Sequence, residues 1–158
     1  CRLDRGEKED TVLHSMKTRL PQRLWPQAES IMANWHRSLR PKEDMGELVW
    51  ELHGLADPLY ILSNAPFRFY DFRDMIPGYG LMTEAVLSCE EGLLKPDPAL
   101  FRRVLDRFGF TPRECFFIDD SPLNIEAAQW RGMGAFQFRQ DMAELRAALI
   151  AAGVPASP

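Results

Sequence analysis

The chain has 158 residues, 46% of them hydrophobic, which suffices to bury one sizeable core and leaves no room for two independent domains beyond a small helical appendage. A formal net charge of −4 gives no basic footprint, so nucleic acid is not an expected partner, and no uncharged apolar stretch approaches the roughly 18 residues of a membrane span. The three cysteines lack metal-ligand spacing and are odd in number, which argues against a disulfide framework and for a reducing, cytoplasmic setting.

In chain order, residues 7–20 and 26–39 read as two helices. Val12, Leu13, Met16 and Leu20 carry the apolar spacing in the first, and Ile31, Met32, Trp35 and Leu39 in the second. Pro21 and Pro26 punctuate them. Trp25, Trp35 and Trp50 are expected in the core, and His14, His36 and His53 are too scattered to ligate a metal together. From residue 41 the pattern becomes α/β. A helix opened by Pro41 carries Met45, Leu48, Val49 and Leu52, stops near Gly54 and leads into a strand at 59–62. Aromatic-rich residues 66–80 read as helix and loop, followed by a short strand at 85–88. Lys95-Pro96-Asp97-Pro98 sets a lysine just ahead of a helix, between prolines that restrict the backbone. Thr111-Pro112-Arg113-Glu114 has capping-box spacing but is followed at once by an apolar run, so a single turn is expected. Residues 115–119 read as a strand, 125–131 as a helix ending at Gly132, 135–138 as a strand and 141–152 as a closing helix. The tail from residue 154 is expected to fray. Helices alternating with short apolar strands predict an α/β fold: a Rossmann-like parallel sheet covered on both faces.

Three segments carry chemistry. The run Cys115-Phe116-Phe117-Ile118 ends at adjacent carboxylates, Asp119 and Asp120. Leu59-Tyr60-Ile61-Leu62 ends at Ser63 and Asn64, and Lys95 stands between the two. In a parallel α/β sheet the ligand crevice lies beyond the carboxyl ends of the strands, where all of these except Lys95 fall directly. Paired acids there suit Mg²⁺, a hard cation that joins one or two carboxylates to substrate phosphate. A hydroxyl, an amide and an ammonium are the donors a phosphoryl group needs.

In this order and spacing, strand-Ser/Asn, Lys-Pro and strand-Asp-Asp, the chain resembles the haloacid dehalogenase-like (HAD) hydrolases, in particular the helical-cap phosphatases. The resemblance is good over roughly residues 41–138 and weaker before. It implies a partial helical cap at 1–40, a core at 41–153 and a flexible tail at 154–158. It also implies roles: Ser63 and Lys95 catalytic, Ser63, Asn64 and Lys95 binding the phosphate, Asp120 the leading Mg²⁺ ligand with Asp119 its partner, and Asn124 in a supporting or water-mediated contact. The implied substrate is a small phosphorylated metabolite, cleaved through an aspartyl-phosphate.

The family's nucleophile is an aspartate at the end of an apolar strand reading Asp-x-Asp, and no segment of residues 1–58 matches it. Neither Asp4 nor Asp10 follows an apolar run, and the chain begins with Cys1. The expectation is therefore that the first strand is missing. In the family that strand lies between the two at 59–62 and 115–119, so both should keep unpaired edges and the chain should be inactive as it stands. Two alternatives remain open. Metal-free 2-haloacid dehalogenase chemistry would gain nothing from Asp119 beside Asp120, whereas a non-catalytic binding module would explain the missing nucleophile.

Overall fold

A computed structural model of the protein describes residues 1–55 and 58–157. Residues 1–40 form helix α1 (Glu9–Lys17), helix α2 (Trp25–Asn34) and three short 3-10 turns, at Leu3–Arg5, Gln22–Leu24 and Trp35–Ser38. Both expected helices are shorter than their apolar spacing implied: α1 stops before Pro21, and the last turn of the second tightens into the 3-10 form. Arg68 of the α/β part forms an ion pair with Glu9, tying the helical segment to it.

The rest follows the α/β order. Helix α3 (Glu43–Gly54), strand β1 (Tyr60–Ser63), helix α4 (Phe69–Phe72), strand β2 (Glu84–Leu87) and helix α5 (Ser88–Glu91) make one half. Helix α6 (Pro98–Phe108), strand β3 (Phe116–Asp119), helix α7 (Pro122–Trp130), strand β4 (Gly134–Gln137) and helix α8 (Met142–Ala151) make the other. Local chemistry sets the helix starts. The Asp97 carboxylate accepts the Ala99 N–H at 2.8 Å and Asp141 accepts the Glu144 N–H at 3.0 Å, each satisfying an orphan donor at a first turn. The turn at Pro112–Glu114 is a single 3-10 turn, closed by the Thr111 N–H donating to Glu114 at 2.7 Å. Helix α7 begins three residues earlier than its apolar pattern suggested, because Pro122 takes the first helical position without needing an N–H.

The strands do not form one sheet. β1 pairs with β2 in parallel, Ile61 opposite Ala85, and β3 pairs with β4 in parallel, Phe117 opposite Ala135. These are separate two-stranded sheets. Each has its own apolar packing: Phe69, Phe72, Leu87 and Cys89 with Ile61 on one side, and Phe101, Phe117, Ile125 and Ala128 on the other. Leu62 of β1 reaches across to the second cluster, so the two sheets stand side by side. A third cluster, Leu48, Leu52, Phe138, Leu145 and Leu149, joins α3 to α8.

Two expectations are corrected. Trp50 is not core but 73% exposed, on the outer side of α3. The tail does not fray through residue 157: Ala156 is buried in the α3–α8 cluster, Ser157 donates its N–H to Glu51, and Arg146 donates to the Ser157 carbonyl at 2.9 Å. A small apolar residue beside a hydrogen-bonding one gives the last turn of chain something to hold. Cys89 is buried and Cys115 half-buried, both as free thiols.

Candidate active site

β1 and β3 deliver Ser63 and Asp119 at their carboxyl ends, where Ser63 pairs with Leu87 and Asp119 with Gln137. Lys95 comes from the loop between α5 and α6 and joins them. Its ammonium donates to the Leu62 carbonyl of β1 at 2.6 Å and to Asp119 Oδ2 of β3 at 2.6 Å, and lies 5.4 Å from the centroid of the Phe117 ring. One cation thus spans the gap between the two sheets. Its side chain is 9% exposed and that of Asp119 is 6% exposed, so this is a buried pair, whose rupture leaves an uncompensated charge.

Asp119 is held from every side. Its Oδ1 accepts the Ser121 N–H at 2.9 Å and the Asn124 amide at 2.8 Å, while Lys95 occupies Oδ2. Burial alone would push this carboxyl up, but the Lys95 hydrogen bond and charge, with the Ser121 and Asn124 donors, hold it below the ordinary aspartate range. Asn124 is itself buried, one turn into α7.

Asp120 differs from its neighbour. It is exposed, its carbonyl accepts from the Gln137 amide at 3.0 Å, and its carboxylate makes no hydrogen bond among the described residues. Asp119 is the last residue of β3 and Asp120 lies just beyond it, so the acids divide: Asp119 is anchored to lysine and Asp120 is open to a ligand.

Asn64 faces the Lys95 loop. Its side-chain oxygen accepts the Lys95 N–H at 2.7 Å and its amide donates to the Lys95 carbonyl at 2.9 Å. Both ends of the carboxamide are engaged, so the side chain fixes the backbone from which Lys95 extends. Ser63 is half-buried, and its hydroxyl has no hydrogen-bond partner among the described residues. The structure therefore brings Lys95, Asp119, Asn124 and Asn64 into one bonded network, with Ser63 and Asp120 at its strand ends.

Sequence reasoning missed Ser88. Completely buried at the start of α5, its hydroxyl accepts the Ala65 N–H at 3.0 Å and donates to the Asp4 carbonyl at 2.6 Å. The available signal was a hydroxyl closing the apolar run Ala85-Val86-Leu87, as Ser63 closes its own run.

The description "haloacid dehalogenase-like hydrolase" matches residues 13–132. The sesquiterpene phosphatase astK of Aspergillus oryzae is 32% identical over 106 residues, which is 66% of this chain and 54% of that protein. Flavin mononucleotide hydrolase 1 of Arabidopsis thaliana is 30% identical over 96 residues, 61% of this chain and 39% of that protein. The chain thus spans about half the length of these relatives, or less. A HAD family enzyme of Bacteroides thetaiotaomicron, solved with magnesium and inorganic phosphate, superposes with a TM-score of 0.73 at 22% identity, covering 91% of this chain and 77% of that one. That likeness is one of fold. With the family pattern running through three-quarters of its length, the chain belongs to the haloacid dehalogenase-like hydrolases.

Proposed function

We propose that this chain holds the phosphate-handling part of a Mg²⁺-dependent phosphatase acting on a small phosphate monoester. The observation that carries the reading is the Lys95 ammonium bonded at once to the Leu62 carbonyl and to Asp119, between the carboxyl ends of two parallel sheets. A fixed cation aimed where two strands end stabilises charge that grows on phosphoryl oxygens. The two relatives described above are named as a phosphatase and as a hydrolase of flavin mononucleotide, which agrees in reaction type.

Each residue then has a task. The unpartnered Ser63 hydroxyl donates to a phosphate oxygen, and Lys95 neutralises the phosphate and the group attacking it. Asp119, Asn124 and Asn64 keep Lys95 aimed. The donor set fits Mg²⁺ at Asp120, an exposed carboxylate without a hydrogen-bond partner among the described residues. It fits less well at Asp119, whose oxygens are engaged by three donors. When bound, the ion supplies positive charge to the phosphate oxygens, and it keeps waters where the protein offers few ligands. The attacking group is an aspartate that the family resemblance assigns to a further strand beside β1 and β3, each of which pairs with one strand among the described residues. It takes the phosphoryl group as an aspartyl-phosphate while the ester P–O bond breaks and the alcohol leaves with a proton, and water then hydrolyses the acyl phosphate to inorganic phosphate and the free carboxylate.

A non-catalytic binding module is the second reading, favoured by the absence of an apolar strand ending in Asp-x-Asp within residues 1–58. One comparison separates the two. Turnover of p-nitrophenyl phosphate, with and without Mg²⁺, is measured for this chain and for a form extended by a segment supplying such a strand. The phosphatase reading expects an inert short chain and a Mg²⁺-dependent extended one. An extended form as inert as the short one sinks it, and equal turnover by both places the nucleophile within residues 1–158.

A further inference from the structure

β3 and β4 end together, Asp119 opposite Gln137. The last backbone rung beyond that pair is the Phe138 N–H, which donates to the Asp119 carbonyl at 2.9 Å. The next carbonyl, that of Asp120, receives no main-chain donor among the described residues. The Gln137 side chain serves it instead: its Nε2 donates to the Asp120 carbonyl at 3.0 Å, where the ladder would have placed another rung. The base of this side chain is firm, because Phe138 beside it is buried in the α3–α8 cluster.

The amide is also oriented. A carboxamide turned the other way would set its oxygen against the Asp120 carbonyl, acceptor against acceptor. Arg139 excludes that arrangement. Its Nε and Nη2 donate to Gln137 Oε1 at 3.2 and 2.8 Å. A guanidinium has only donors to offer, so the amide oxygen faces Arg139 and the NH2 faces Asp120. Arg139 forms no ion pair with Asp120 among the described residues and engages the amide alone. The exposed carboxylate stays open while the backbone behind it is held.

We propose that Gln137 is a positioning residue for the metal site: locked by Arg139, it fixes the backbone from which Asp120 presents its carboxylate to Mg²⁺. This rests on the placement of the ion at Asp120. The test uses Mn²⁺, which shares the preference of Mg²⁺ for oxygen ligands in an octahedron. It is titrated by electron paramagnetic resonance, with inorganic phosphate, into this chain and into its strand-extended form, and variants are compared in whichever form binds. The variants are Asp120→Asn, Gln137→Met, Arg139→Met and Gln137→Met combined with Arg139→Met. Methionine keeps the length of the side chain and offers no N–H.

Asp120→Asn should abolish binding. Gln137→Met should weaken it about tenfold, the loss expected when a group that orients a ligand is removed. Arg139→Met should weaken it by less, since the amide is then free to turn, and the double variant should be no worse than Gln137→Met, because Arg139 acts only through Gln137. In the strand-extended form, Gln137→Met should raise the half-saturating Mg²⁺ concentration for p-nitrophenyl phosphate turnover and leave the rate at saturating Mg²⁺ unchanged. Wild-type Mn²⁺ affinity in Gln137→Met, or losses that multiply in the double variant, overturns the relay while the metal site stands. Arg139 is exposed, so its variant should keep the fold, and unchanged affinity there overturns the lock by itself. Failure of both wild-type forms to bind Mn²⁺, or equal binding by Asp120→Asn, overturns the relay and the metal site together.

Discussion

Asp119 is almost sealed from solvent, which opposes its charge, but the three donors on its two oxygens outweigh that burial and favour the ionised form in the native state. Its carboxyl titrates below its unfolded value. The resulting stabilisation is complete above the ordinary aspartate pKa, roughly 4, and is lost as pH falls through the depressed native value. Denaturant titrations across that acid range should show a shallower loss of stability in Asp119→Asn than in wild type. Lys95→Ala should cost about 3–5 kcal/mol near neutral pH, because it leaves a carboxylate buried without its cation. The same titration at neutral pH checks it, and a cost below about 1 kcal/mol would mean that the pair is wetter than its geometry indicates. At this scale the sequence placed these residues at strand ends and in one loop and was silent about how they bond to one another. Adjacent acids at the end of an apolar run were visible as a pair. That Asp119 takes the lysine while Asp120 stays open follows from the end of β3 at Asp119 and from the position of Lys95, a contact across 24 residues that no local pattern encodes. The Asn64 clamp on Lys95, across 31 residues, was hidden for the same reason.

Among the elements, strands were legible to within a residue or so, because a short apolar run between turn signals has few other fates. Helix ends were less so. The pattern around Ser88 reads as the end of a strand at 85–88, yet Ser88 begins α5, and its hydroxyl serves backbone groups of two distant segments. Ser88→Ala should strand the Ala65 N–H and the Asp4 carbonyl in a buried place and cost about 1–3 kcal/mol. Limited proteolysis should then cut within residues 1–8 faster than in wild type, since that serine pins the segment. Equal cleavage would show that the close packing of Gly6 on the Cys89 carbonyl alone suffices. The aromatic stretch at 66–80 was read as helix and loop and is mostly 3-10 turns after the short α4. Phe69 and Phe72 are buried there while Phe67 and Tyr70 are not, a spacing too short for composition alone to assign.

For the molecule as a whole, the decisive fact is that the four strands among the described residues pair as two separate parallel sheets instead of one. Among the described residues β1 pairs with β2 alone and β3 with β4 alone. Apolar packing through Leu62 and the Lys95 bridge hold the halves side by side without a backbone ladder between them. Hydrogen exchange should therefore find those amides of β1 and β3 that point away from β2 and β4 unprotected in this chain, and protected once a strand occupies the gap. Protection in the short chain would mean that another segment covers these edges in solution.

Such a gap is also an engineering handle. A strand edge accepts an extended peptide, and one that ran between β1 and β3 with an aspartate at its carboxyl end would bring that aspartate beside Lys95. Catalysis could then be divided between two molecules, a folded receptor and a short linear key. Joining each to one of two proteins of interest would turn their encounter into release of phosphate, so that the seam between the sheets becomes a switch operated from outside.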